Sequence, residues 1–191
     1  MEPVYFDGRP YVELISYGEV QPIGHATQAA KKHFKGRKGL KFLEIGVLRG
    51  HNAEVIDNVL HPELMILVDP WDWCKETHGN NWAETWFRLQ GRKNIVIVKA
   101  TSERAAGIIN QTFDYIYIDG DHTGGELSRG SEEGGIRLDI RLWWPRMNPG
   151  GIFAGHDYNF ENIKAEVDRV FGERVQSSPV TEGGMEWWVY T

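Results

Sequence analysis

The chain holds one cysteine, Cys74, in 191 residues, so an intrachain disulfide is excluded and a reducing, cytoplasmic setting is expected. No apolar run approaches the roughly 20 residues that a bilayer-spanning helix needs. The opening residues, MEPVYFDGRP, lack the charged and apolar regions of a secretory signal. Positive charge is scarce, with 21 Lys and Arg against 27 Asp and Glu and a formal charge of -6. That balance argues against a general nucleic-acid binder, which needs cationic excess to displace phosphate counterions. Membrane attachment is not expected either. Internal repeats and heptads are missing, and the glycines nowhere take the G-x-G-x-x-G spacing of a dinucleotide site.

What is present is a globular composition, 41% hydrophobic and 12% aromatic, in a chain of the right length for one core. A single domain over residues 1–191 is expected, with an N-terminal arm and helix over 1–38 and the core over 39–191. The pattern TQAAKKHF, from Thr27 to Phe34, suits a short helix. From Lys41 the chain alternates. KFLEIGV, LMILVD, NIVIVKA and FDYIYIDGDH read as buried strands, and HNAEVIDNVL, NNWAETWFRLQ and SERAAGIINQ read as the helices between them. A Pro-Gly-Gly turn then feeds a fifth strand that runs to GHDY, and NIKAEVDRVFG is an amphipathic helix. Such alternation predicts right-handed crossovers and a parallel sheet with helices on both faces. RVQSSPV and MEWWVYT lie too close together for a parallel crossover, so the sheet should end antiparallel. GGELSRGSEEGG reads as a mobile loop.

Parallel sheets present their ligand-binding groups at the carboxyl ends of the strands. The first such edge is Glu44-Ile45-Gly46-Val47-Leu48-Arg49-Gly50. Here Gly46 and Gly50 either make a tight turn or let backbone approach a ligand, and Glu44 is placed to accept a bond from a ligand ammonium. Asp69 ends the second strand, where it either takes both hydroxyls of a ribose or caps the turn before Pro70. Trp71 and Trp73, directly after it, are the tryptophans best placed against a ligand ring; Trp143, Trp144, Trp187 and Trp188 are expected mainly in the core. Ser102 either caps a helix or borders a ligand base. The densest chemistry is Asp119, Asp121 and His122 on one strand end with His156 and Asp157 on another. These carboxylates would hold a hard divalent cation, or His156 or His122 would act as a general base near neutral pH.

FLEIGVLRG, LVDPW, YIDGDH, IRLWWPRMNPGG and FAGHDY together resemble the class I S-adenosylmethionine-dependent methyltransferases, and within them the small metal-dependent O-methyltransferases. The resemblance implies a Rossmann-like, doubly wound sheet of seven strands, mostly parallel, with an antiparallel C-terminal strand. It implies that Glu44, Gly46, Gly50 and Asp119 hold the methionine part of S-adenosylmethionine, that Asp69 holds the ribose, and that Ser102 borders the adenine, which leaves Trp71, read from its place beside Asp69, as a further cofactor-binding candidate. It further implies Mg2+ or another divalent cation on Asp119 and Asp157, with Asp121 as the further carboxylate candidate. His156, His122 and Asp119 are then the candidate catalytic groups. The acceptor is expected to be a small-molecule hydroxyl, and the sequence leaves a homodimer open. A metal-dependent hydrolase using the same acids and histidines, or a non-catalytic nucleotide-binding module, stands as the alternative.

Overall fold

Five strands in this chain carry apolar side chains on both faces, the pattern of strands buried between two helical layers. The structure, a computed structural model, describes residues 5–6, 9–10, 23–71, 81–121, 135–180 and 184–191. Tyr5–Phe6 pairs antiparallel with Arg9–Pro10. The elements that build the sheet follow in order: α1 (His25–His33), β1 (Lys41–Ile45), α2 (His51–Leu60), β2 (Leu64–Asp69), α3 (Asn81–Leu89), β3 (Ile95–Lys99), α4 (Ser102–Ile108), β4 (Phe113–Ile118), α5 (Gly135–Trp143), β5 (Met147–Gly155), α6 (Glu161–Phe171), β6 (Gln176–Ser177) and β7 (Trp187–Tyr190).

The seven strands lie in the order β3-β2-β1-β4-β5-β7-β6. The pairs from β3 through to β5 are parallel, and β7 runs antiparallel to both of its neighbours. The doubly wound sheet with an antiparallel ending is therefore present as expected. Strand order reverses between β1 and β4, which places the ligand-binding crevice above Ile45 and Ile118.

Side-chain parity divides the core. Leu43, Ile66, Ile116 and Phe153 face Ala105, Ile140 and Val167 of α4, α5 and α6. Phe42, Met65, Leu67 and Tyr115 face Ala30, Ile56 and Leu89 of α1, α2 and α3. Burying each such Leu or Ile contributes about 1.5–3 kcal/mol, and β4, buried along its whole length, is the spine of both clusters.

Three details differ from the sequence expectation. The Pro-Gly-Gly turn lies inside β5, where the register with β4 slips between Phe113 and Tyr115 and Gly150 takes φ 72°, so it is a bulge and not a connection before the strand. The C-terminal strands are shorter than the β-rich segments that predict them. Helix α5 adjoins the glycine-rich stretch and is not among the helices the sequence predicts. Most of residues 1–22, Trp73, Cys74, His122 and the stretch from Gly124 to Gly134 lie outside the described residues.

Candidate active site

Glu44 is the buried acid of β1, only 1% exposed. Asn52 Nδ2 donates to its Oε1 at 3.0 Å, while Oε2 has no partner. Burial, with the negative charges of Asp119 and Asp69 adding, pushes its pKa up to about 8 against the Asn52 bond. Beyond it, Gly46 takes φ 81°, and a Cβ there would sit 2.0 Å from the carbonyl oxygen of Asp119. The close approach that demands glycine is thus between two strand ends of the protein itself. Gly50, φ 74°, is the N-cap of α2.

Asp69 turns its carboxylate toward backbone. Oδ2 accepts from the amides of Val47 at 2.8 Å and Leu48 at 3.0 Å, and Oδ1 accepts from Trp71 N at 2.6 Å. The turn-holding reading of Asp69 is the one its geometry displays, extended to the glycine turn after β1. Three of its roughly four acceptor positions are taken. Trp71, 8% exposed, donates its indole N–H to Leu48 O at 2.8 Å and meets Trp82 edge to face, so it buttresses that turn from inside the core.

Ser102 neither caps α4 nor stands free. Thr101 is the cap, its side chain accepting from Arg104 N. The Ser102 hydroxyl donates to Asp139 Oδ1 and accepts from Trp143 Nε1 at 2.8 Å. Asp139, on α5 and 3% exposed, has its pKa pushed up to about 7 by burial, with the charge of Asp121 adding, against the Ser102 bond. Nothing in the local sequence marks this residue, because its partner is 37 positions away.

At the ends of β4 and β5 the structure gathers Asp119, His156 and Asp157, each offering a ligand atom within 4.8 Å of the others. His156 Nδ1 lies 3.0 Å from Asp157 Oδ1 and 3.9 Å from Asp119 Oδ1. The Asp157 bond, with the charges of Asp119, Asp157 and Glu186 adding, pushes the imidazole to about 9 against its burial. Asp121 is exposed and stands outside this cluster, so among the described residues a nitrogen donor occupies the place expected for a third carboxylate. A small cleft bounded by Ile118, Gly120, Ile136 and Ile163 opens beside Asp119 and His156.

Three residues other than glycine hold positive φ at this edge: Leu48 at 53°, Trp71 at 47° and Asp157 at 57°. Each such backbone costs about 1–3 kcal/mol and persists only where its surroundings impose it.

Residues 43–158 match the family model described as a methyltransferase domain. The chain belongs to this methyltransferase family. No curated protein matches the sequence. Solved structures share the fold at low identity. An O-methyltransferase from Bacillus cereus in complex with S-adenosylhomocysteine is 14% identical, with 95% of this chain and 86% of that one covered and a TM-score of 0.59. A Klebsiella pneumoniae protein provisionally assigned as an O-methyltransferase is 12% identical, covering 94% and 84%, with a TM-score of 0.65. A precorrin-6y C5,15-methyltransferase from Geobacter metallireducens is 11% identical, covering 94% and 95%, with a TM-score of 0.62. The same fold thus serves unlike acceptors.

Proposed function

We propose that this methyltransferase binds S-adenosylmethionine over the ends of β1 and β2 and methylates a hydroxyl of a small-molecule acceptor in the cytoplasm, with a divalent cation held by Asp119, His156 and Asp157. The observation that carries the cofactor reading is Glu44: a fully buried carboxylate with an unpartnered oxygen, crowded by two further acids, asks for a cation. The ammonium of a methionine moiety is such a cation, and the glycine turn after β1, its shape held by Asp69, would border the rest of it.

Bound S-adenosylmethionine supplies a methyl already activated on a sulfonium, which leaves as a neutral thioether, so no acid is required for departure. The chain's remaining work is to hold an acceptor oxygen in line and to take one proton from it. The cleft beside Asp119 and His156 is where that oxygen would lie. With its pKa at about 9, His156 carries a proton at neutral pH, so it is a positive group between Asp119 and Asp157 until that proton is displaced. A divalent cation in its place would lower the pKa of the acceptor hydroxyl. One imidazole among two carboxylates suits Mn2+, Fe2+ or Zn2+ better than Mg2+.

Calorimetric titration with S-adenosylmethionine and S-adenosylhomocysteine, with and without these cations and with NADH as control, is the test. Micromolar binding of the first two supports the reading. Failure of both to bind, with a cation still bound, would favour a metal-dependent hydrolase.

A further inference from the structure

The buried carboxylate of Asp139 has no part in the chemistry above. It is held by the Ser102 hydroxyl on one oxygen, and that hydroxyl is fixed in turn by Trp143 Nε1, one helical turn beyond Asp139 on α5. Neither partner can rotate away without losing a bond. The second oxygen, Oδ2, takes no hydrogen bond among the described residues and faces the chain after β4, 3.3 Å from where a Cβ on Gly120 would stand. Gly120 follows Asp119, and the backbone before Ser102 is tied to the end of β2 through Ala100 N and Asp69 O at 3.2 Å. Asp139 therefore sits between the start of α4, which follows β3, and the chain after β4, with one acceptor to spare.

A carboxylate oxygen can only accept, so a ligand group that satisfies it must donate. In a nucleoside lying across these strand ends, the exocyclic amine of the base is such a donor, whereas a 6-oxo group would place acceptor against acceptor. We propose that Asp139, kept in one orientation by Ser102, selects a 6-aminopurine over a 6-oxopurine in the nucleoside end of the cofactor. This rests on the S-adenosylmethionine reading above and assigns the recognition of its base to a residue of α5.

The experiment compares binding of S-adenosylhomocysteine with its 6-oxo analogue, S-inosylhomocysteine, by calorimetry at pH 8. The wild-type protein is expected to favour the amine at least about tenfold, because an unsatisfied buried acceptor penalises the wrong base. Asp139→Asn keeps an oxygen for Ser102 and turns an amide N–H2 toward the ligand. It should narrow that ratio to about threefold or reverse it. Ser102→Ala, which frees the carboxylate to rotate while Thr101 still caps α4, should narrow it as well. A residue with a merely structural role would weaken both ligands equally and leave the ratio alone. The proposal is overturned if the wild-type protein does not discriminate, a result that needs no variant, or if both variants keep the wild-type ratio. Binding of neither nucleoside by the wild-type protein would instead remove the cofactor reading itself, and this inference with it.

Discussion

Replacing Glu44 by Gln should make the empty protein more stable and useless for its cofactor. In the folded chain the Glu44 carboxyl holds its proton to about pH 8, whereas in the unfolded chain it ionises near 4.5. Between those values the folded state binds more protons than the unfolded state, so stability falls as pH rises and the full cost is reached above pH 8. The difference between 4.5 and about 8, at about 1.4 kcal/mol for each pH unit, sets a ceiling of about 5 kcal/mol. Relaxation and water entry will reduce it, and about 2–3 kcal/mol is the expected gain for Glu44→Gln at pH 8.5. Near pH 4.5 the two proteins should unfold together as far as this group is concerned. Urea unfolding at pH 5 and pH 8.5 measures the difference, and calorimetry measures S-adenosylmethionine affinity, which should fall at least about a hundredfold when the ammonium loses its counter-charge. Equal urea midpoints at pH 8.5 would show that Glu44 ionises without cost. Undiminished affinity in Glu44→Gln would show that no ligand cation lies against it.

Asp69→Ala removes the acceptor of three backbone amides and should lower stability by about 3 kcal/mol, near 10 °C in Tm for a chain of this length, and abolish cofactor binding. A wild-type melting curve would mean that the turn after β1 holds itself. Gly46→Ala forces a methyl to within 2.0 Å of the Asp119 carbonyl at φ 81° and should cost more than about 3 kcal/mol, read as a fall in the urea midpoint; a small fall would show that the β1 and β4 ends are free to separate. Asp157→Ala should eliminate cation binding and turnover while S-adenosylhomocysteine affinity stays within about threefold. Loss of both affinities together would argue against separate cation and cofactor sites. In the unaltered protein, cation affinity should climb about tenfold per pH unit from pH 6 to pH 8 and level off near 9, because the His156 proton must leave first. Affinity independent of pH would mean that the imidazole is not a ligand.

What the sequence makes legible follows from where the physical signal resides. The strand cores of β1, β2 and β4 are short apolar runs with Glu44 next to last in β1, Asp69 ending β2 and Asp119 directly after β4, and a parallel sheet converts those positions into one ligand edge without further information. Asp119, His156 and Asp157 are readable for the same reason. Position alone did not reveal which way a carboxylate turns. Asp69 stands where a ribose acid would stand, yet its oxygens are drawn to the amides of Val47, Leu48 and Trp71, because three unpaired donors converge there. Between Thr101 and Ser102 the cap goes to the residue whose backbone is still extended, at ψ 156°, which leaves Ser102 for Asp139. Glu186 is equally invisible in sequence. It accepts from Tyr117 Oη at 2.9 Å and, 160 positions away, from Ala26 N at 3.0 Å, joining β4 to the start of α1.

These features share a direction. At one edge of the sheet the chain accepts left-handed backbone at Leu48, Trp71 and Asp157, and it keeps Glu44 and Asp139 in surroundings that resist their ionisation. Each is unfavourable in the empty protein, and the two well-packed layers beneath supply the stability that offsets them. Acids crowded in this way repel one another, so an incoming cationic ligand both finds partners and relieves the crowding. An acid at the amino edge behaves differently: Asp114 is satisfied by Lys41 N at 2.9 Å and by the Arg37 guanidinium at 3.0 Å. Neutralised at one end and left wanting charge at the other, the sheet is polarised toward a positively charged ligand, which is the charge a sulfonium carries.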